Sequence, residues 1–379
     1  MITSASFPGP KLLGSDALRL LKAGADAGAV LPAVEACLNC KRCELACPHG
    51  VRITRLISDV KERTVTAKKH YWRDLLLSYP GFLGKVGTIV PGLVNFFLSN
   101  KIGRKLAKKV MSLDADAVSN YASRPLSRVT SSLQAAETNR KVVYFAGCYA
   151  NYIEPEIGKS LVELLGLLKI GVVVPTEHCC GMPLLANGFK AQAKKAFQKN
   201  LKALLPYLQE GCDILCTCPT CALALKQVYL EELGTDEAEV LSKFVYDASE
   251  YLVNYSDQLA GLIKPVKLHM VYHQPCHTLA QGVGQPSLTL LKLIPELKLQ
   301  AVDGCCGQSG TYGFKQEKKK ISEAVGKALF KEIEQCAPDL VSTDCGACTM
   351  RIKHDCHLDV KHPLSVLLQS IKTDDSLPD

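Results

Sequence analysis

Cys179-Cys180-Gly181-Met182-Pro183-Leu184-Leu185-Ala186-Asn187-Gly188-Phe189-Lys190 and Cys305-Cys306-Gly307-Gln308-Ser309-Gly310-Thr311-Tyr312-Gly313-Phe314-Lys315 are one motif written twice. Each runs from a vicinal cysteine pair and a glycine to Gly-Phe-Lys. Working outward, a lone cysteine precedes each copy and a Cys-x-x-Cys follows it. These are Cys148 and Cys218-Pro219-Thr220-Cys221 in the first repeat, and Cys276 and Cys345-Gly346-Ala347-Cys348 in the second. Ten of the 18 cysteines in this 379-residue chain therefore belong to a duplicated five-cysteine pattern. Thiolate is a soft ligand suited to iron–sulfur clusters. Five thiols recurring at near-constant period are poorly explained by packing, and point to electrons rather than to substrate chemistry.

The duplication extends to the flanks. Val142-Val143-Tyr144-Phe145 leads into Cys148 as Leu268-His269-Met270-Val271-Tyr272 leads into Cys276. Gly171-Val172-Val173-Val174 and Leu297–Val302 precede the vicinal pairs, and Asp213-Ile214-Leu215 and Asp339-Leu340-Val341 precede the closing pairs. A Lys/Ala-rich helical stretch follows each Gly-Phe-Lys. Short apolar runs alternating with helical patterns predict two α/β units, each with a largely parallel sheet. Sites in such sheets form beyond the carboxyl ends of the strands. Every cysteine group follows a predicted strand, so five sulfurs can meet at one edge.

Composition narrows the function classes. Apolar content of 47% and charged content of 22% are ordinary for a globular protein. A net charge of +8 with one Trp and no basic patch interleaved with aromatics argues against nucleic acid. Met1–Pro10 lacks the basic-then-apolar order of a signal peptide, so a reducing compartment is expected. There, many cysteines mean metal or redox work rather than disulfides. No Gly-x-Gly-x-x-Gly after a strand and no P-loop is present, against a nucleotide held by this chain. No Ser/His/Asp or Cys/His grouping stands apart from the cysteine sets.

Near the N-terminus, Cys37-x-x-Cys40-x-x-Cys43-x-x-x-Cys47-Pro48 is the bacterial ferredoxin run. A structural zinc site is the weaker alternative, because zinc usually pairs Cys-x2–4-Cys with a distant second pair. In two-cluster ferredoxins the fourth cysteine serves the other cluster, and this chain carries one run. Three arrangements stay open: Cys47 closes the same cluster, another cysteine does, or an upstream segment supplies the partner.

Four segments follow from these readings. Residues 1–70 form a ferredoxin-like helical segment with a helix from Ile53 to about Lys69. Residues 71–139 form an apolar and basic connector, its end (113–139) a low-order Ser/Ala/Thr-rich linker. The two repeats occupy 140–262 and 263–379, with a frayed acidic tail. Within the connector, residues 75–98 are apolar but broken by Pro80, Lys85 and Pro91, short of an uninterrupted span. Lys101, Arg104, Lys105, Lys108 and Lys109 follow at helical spacing. Two readings compete: an interfacial membrane contact, or a connector packed on the repeats with a solvated basic face. The second is the simpler expectation.

The doubled C…CCG…C-x2-C arrangement resembles the cysteine-rich CCG-domain family, which includes the B-subunits of heterodisulfide reductases and iron–sulfur subunits of glycolate and lactate oxidases. Within it, Phe7-Pro8-Gly9-Pro10-Lys11, the Cys37–Pro48 run and the two vicinal motifs are similar to the family of anaerobic glycerol-3-phosphate dehydrogenase C-subunits. The resemblance covers nearly the whole chain. It implies an electron-transfer subunit, peripheral on the cytoplasmic face of the membrane, that relays electrons from flavin-bearing subunits toward menaquinone or another quinone. It also implies a [4Fe-4S] cubane at Cys37, Cys40, Cys43 and Cys47. By the same resemblance, noncubane [4Fe-4S] clusters sit at Cys148, Cys179, Cys180, Cys218 and Cys221, and at Cys276, Cys305, Cys306, Cys345 and Cys348. The family pattern places a further ferredoxin run upstream of Pro8-Gly9-Pro10-Lys11. A catalytic subunit that reduces disulfides, or a glycolate or lactate oxidase subunit, is the alternative within the family.

Cys212, Cys216, Cys336 and Cys356 are left over and read as core residues, Cys216 being the nearest to a cluster motif. His178 and His277 abut cluster cysteines. Outer-shell tuning is weighed for them against the blander local-backbone pairing, which is preferred.

Overall fold

The computed structural model describes residues 8–114, 116, 118–129, 140–175 and 179–372. Two four-stranded sheets, parallel throughout, form the body. The first contains β1 (Lys141–Phe145), β2 (Gly171–Val173), β3 (Ile214–Cys216) and β4 (Val245–Asp247) in the order β2-β1-β3-β4. The second repeats that order as β6-β5-β7-β8, with β5 (His269–His273), β6 (Lys298–Val302), β7 (Leu340–Ser342) and β8 (Val360–Lys361). The expected α/β class and its duplication are both present. Each sheet also carries an outer fourth strand, β4 and β8, that the apolar runs did not announce.

The order places neighbours on opposite sides of the first strand of each repeat. Chain connections there leave in opposite directions, which opens a crevice at the strands' carboxyl ends. The stretches after β1, β2 and β3, and after β5, β6 and β7, carry the cysteines. The Lys/Ala-rich stretches form the long helices Lys190–Gln209 and Lys319–Cys336, which turn Phe197 and Leu204, and Leu329 and Ile333, inward.

The repeats share one core. Val142, Tyr144, Leu161 and Leu165 of the first pack with Met270, Tyr272, Leu291 and Leu367 of the second. Leu126, inside the stretch expected to be a low-order linker, is fully buried in that core; residues 115, 117 and 130–139 of that stretch lie outside the described residues. The N-terminal segment has a small core of its own, in which Ile57 and Val60 of the helix Ile53–Thr64 meet Leu13, Ala17, Val30 and Val34.

A buried ionic cluster ties these parts together. Asp74 accepts from Lys68 Nζ at 2.9 Å, from Arg73 Nη2 at 2.8 Å and from Lys315 Nζ at 2.7 Å. Lys315 also donates to Asn187 Oδ1 at 2.6 Å, Arg73 to Glu317 Oε1 at 2.5 Å, and Lys68 pairs with Glu35 at 3.0 Å. The cluster thus draws on the N-terminal segment, the connector and both repeats. The other Gly-Phe-Lys lysine behaves in kind: Lys190 reaches Asp59 at 2.5 Å and Glu232 at 3.0 Å. The duplicated lysines grip the N-terminal half of the chain.

Candidate metal centres

The first set gathers at the edge of the β1–β3 sheet. Cys148 follows β1, while Cys218 caps the helix Pro219–Leu223 that carries Cys221. Their thiols lie within hydrogen-bond reach in a continuous run, Cys148 to Cys179, Cys179 to Cys180, Cys180 to Cys221 and Cys221 to Cys218. Five thiols in contact cannot all ionise. S–H groups of Cys179 and Cys221 hold Cys180 down to about 6, and Cys221 holds Cys218 down to about 7. Hydrogen bonding to Cys179 and burial push Cys148 well above the ordinary thiol value.

The second set repeats the plan. Cys276 opens the helix Cys276–Gln281 and Cys345 caps the helix Gly346–Cys356. Cys306 Sγ lies 3.2 Å from Cys348 Sγ, and Cys348 in turn touches Cys345. Burial, then the adjacent Cys306 and Cys40, pushes Cys305 up to about 12. Gly307 has φ +76°, and a Cβ there would lie 2.1 Å from the Ser322 carbonyl oxygen, so the chain can turn here only without a side chain.

Two features fit these sets to iron–sulfur clusters. The donors are thiols. Backbone N–H groups of Met182, Gly307 and Gln308 point at Cys180, Cys305 and Cys306, the hydrogen bonding that tunes cluster sulfur.

In the N-terminal run, Cys37 and Cys40 sit in one loop with left-handed Asn39 and Lys41, and Cys43 follows in the short helix Arg42–Leu45. Burial and then the neighbouring Cys37 and Cys40 push Cys43 up to about 11. Cys47 lies half-buried just past the short helix Arg42–Leu45. This loop docks on the second set. Cys40 is among the groups acting on both Cys276 and Cys305. Arg42 clasps Asp303 with two bonds, at 2.6 and 3.3 Å, and Ser309 Oγ donates to Leu38 O at 2.5 Å.

Three histidines, His273 and His362 buried and His277 half-buried, support the cysteine loops, and each donates to the carbonyl immediately before a cysteine. His277 Nε2–H reaches Asn39 O at 2.9 Å, before Cys40. His273 Nε2–H reaches Gly304 O at 3.1 Å, before Cys305. His362 Nε2–H reaches Thr217 O at 3.0 Å, before Cys218. A carbonyl only accepts, so each Nε2 carries the proton and Nδ1 must accept. Thr220 Oγ1 at 2.8 Å serves His277, and Leu364 N–H at 3.2 Å serves His362. Burial lowers all three pKa values and keeps the rings neutral. The local-backbone expectation for His277 is thus corrected: its partners come from the N-terminal loop and the first repeat. His178 lies outside the described residues. No sequence motif marks His273 or His362.

The sets also interlock. Tyr149, next to Cys148, lays its ring where a Cβ on Gly346, next to Cys345, would fall 2.3 Å away. His277, next to Cys276, bonds Thr220, between Cys218 and Cys221. Each repeat's first cysteine loop therefore reaches the other repeat's closing pair. The leftover cysteines stay in the cores: Cys212 and Cys216 are buried in the first repeat, and Cys336 and Cys356 pack against the core of the second.

A family model for the CCG cysteine-rich domain matches residues 142–226 and again 270–353. The chain is 36% identical to the C-subunit of the anaerobic glycerol-3-phosphate dehydrogenase of Escherichia coli (strain K12) over 373 residues, covering 96% of this chain and 93% of that protein. It belongs to the family of anaerobic glycerol-3-phosphate dehydrogenase C-subunits. More distant relatives match part of the chain. The B-subunit of the fumarate reductase (CoM/CoB) of Methanothermobacter marburgensis is 33% identical over 219 residues, 56% of this chain and 42% of that protein. Lactate utilization protein A 2 of Bacillus cereus (strain Q1) is 27% identical over 248 residues, 61% of this chain and 99% of that protein. Membership in the dehydrogenase family agrees with the iron–sulfur character read from the cysteine pattern.

Proposed function

We propose that this chain is the electron-relay subunit of an anaerobic glycerol-3-phosphate dehydrogenase, taking electrons from flavin-bearing subunits and delivering them to a membrane quinone. The observation that carries this reading is the convergence of distant thiols into two sets with a third cysteine loop docked on the second. Cys37, Cys40, Cys43 and Cys47 would hold a cubane [4Fe-4S] cluster. Cys148, Cys179, Cys180, Cys218 and Cys221, and Cys276, Cys305, Cys306, Cys345 and Cys348, would hold noncubane ones. When bound, such clusters exchange single electrons at potentials set by burial, charge and hydrogen bonds to sulfur. The chain supplies those settings. His273, His277 and His362 fix the loop carbonyls, backbone N–H groups face the sulfurs, and Arg42 places a positive charge between Cys40 and Cys305. On this reading the chain divides at 1–70, 71–139, 140–262 and 263–379 into ferredoxin-like segment, connector and two cluster domains.

The connector supports seating on a membrane. No described helix is long and apolar enough to cross one, but Pro80–Ile89 and Pro91–Ser99 form an apolar pair bent by 109°. Neither Pro91–Ser99 nor the next helix, Lys101–Met111, has a buried residue. The connector is therefore divided: Pro80–Ile89 packs on the first repeat, with Gly84 against Tyr152, while Pro91–Ser99 and Lys101–Met111 leave apolar side chains exposed. Ile102, Leu106 and Val110 form an exposed stripe beside Lys101, Lys105, Lys108 and Lys109, the composition of an interfacial helix on anionic lipid.

The test is to purify the complex anaerobically and follow glycerol 3-phosphate oxidation against quinone and against a soluble dye that takes electrons from the flavoprotein. Cys306→Ser is expected to abolish quinone reduction and spare dye reduction. Equal loss of both contradicts the relay. Turnover of a disulfide by the isolated chain, without a flavoprotein, would instead favour the heterodisulfide reductase-like alternative.

A further inference from the structure

A cavity opens beside the first cysteine set, between the helices Pro80–Ile89 and Lys190–Gln209. Cys148 and Cys179 form its floor. One wall is the helix Pro80–Ile89, which lies close because Gly84 admits the Tyr152 ring where a Cβ would fall 2.3 Å from it. The facing wall is the helix Lys190–Gln209. Lys85, Lys195 and Lys199 stand at the mouth, exposed and without an ion-pair partner among the described residues. From the cavity an exposed apolar stripe runs along the first wall through Phe82, Val86 and Ile89, and past the bend to Leu93, Phe96 and Phe97. Floor, cationic mouth and apolar lip are thus continuous with the surface assigned above to the membrane.

We infer that this cavity is the quinone site: the ring sits against the first cysteine set, its carbonyl oxygens accept from the lysines, and its isoprenoid tail follows the apolar stripe to the lipid. This rests on the relay reading and locates its last step at the first set rather than the second, which the N-terminal loop covers. The ligand is an amphiphile with two acceptor oxygens, which suits donors on one side and hydrocarbon on the other. A dianionic disulfide would suit the lysines but leave the stripe unused. Reduction adds two electrons and two protons to the ring and turns both C=O groups into C–O–H. The electrons come from the flavin partners of the relay. Each oxygen takes its proton from a lysine ammonium at the mouth, which water reprotonates.

The test uses the full chain, reconstituted anaerobically and bound to anionic vesicles, with an azido-substituted prenyl quinone as photolabel and peptide mapping as readout. The label is expected within 78–86 or 192–199, with competition by menadione and none by oxidised glutathione. Ala196→Phe, which fills the cavity, and separately Lys195→Ala/Lys199→Ala should each cut labelling roughly tenfold or more, as loss of charge-assisted hydrogen bonds implies, in protein whose iron content is retained. Labelling elsewhere in a chain that still forms quinol with its flavin partner overturns this site and leaves the relay standing. Displacement of the label by oxidised glutathione likewise overturns the quinone assignment of the cavity. Failure to form quinol at all overturns the relay, and this site with it.

Discussion

Asp74→Asn is the sharpest perturbation of the framework that docks the N-terminal cysteine loop. Asp74 is 2% exposed and accepts from three cations, Lys68, Arg73 and Lys315. Those cations hold its carboxyl far below the usual carboxylate range against the opposing cost of burial. Asparagine keeps the shape and removes the charge. Lys68 retains Glu35, and Arg73 retains Glu317. Lys315 keeps only the neutral Asn187 oxygen as a close partner. Removing one member of a buried ion pair costs about 3–5 kcal/mol, because the other charge is left uncompensated. Denaturant unfolding of wild type, Asp74→Asn, Lys315→Met and the double variant measures the cycle. The double variant should lose less than the sum of the two single variants, since neither Asp74 nor Lys315 then leaves the other's charge uncompensated. A single-variant cost under about 1 kcal/mol, or strictly additive losses, would refute the reasoning. The same variant should weaken magnetic coupling between the N-terminal and second-set signals in EPR, because Lys315 and Asp74 join the connector to the second repeat.

His277→Phe should cost about 1–3 kcal/mol by leaving Asn39 O and Thr220 Oγ1 unpaired, and His277→Gln should restore part of it, read by denaturant midpoint. Glu35 is held down to about 2, against burial, by Lys68 and Lys318. Its contribution is complete above its ordinary 4.5 and is lost as pH falls toward 2, so acid unfolding should be shallower in Glu35→Gln. The buried histidines act in the same sense: their folded pKa values lie below the unfolded ones, so stability is full above about 6.5 and declines on acidification. Gly307→Ala should strip the second set of iron and sulfide, because the Ser322 carbonyl leaves no room. Gly310→Ala, at φ +60° with open space around it, should cost only about 1–2 kcal/mol of backbone strain and keep its metal.

The cysteine sets and the strands feeding them were legible because duplication supplies an internal comparison. A pattern seen at Cys179 and again at Cys305 separates ligand spacing from accident. The outer strands were not legible: β4 and β8 are short like β2, β3 and β7, but no cysteine group follows them to mark the repeat. Nor were the histidines, whose partners lie far off in sequence, as with His277 and Asn39. The Gly-Phe-Lys lysines were visible as a repeat, but their carboxylates, Asp59 and Asp74, come from segments outside it. For Lys101–Met111 the sequence showed the basic residues at helical spacing, and the structure adds the exposed apolar stripe at Ile102, Leu106 and Val110. Periodicity alone does not say whether such a stripe meets protein or lipid.

Iron and acid-labile sulfide, counted on anaerobically purified wild type and on Cys180→Ser and Cys306→Ser, bear most directly on the claim that the repeated thiols hold clusters. About twelve irons per chain are expected, at four per [4Fe-4S] cluster, with each variant losing about four and a distinct EPR signal. Stoichiometric zinc in place of iron, or variants that keep the full wild-type count and spectrum, would contradict it.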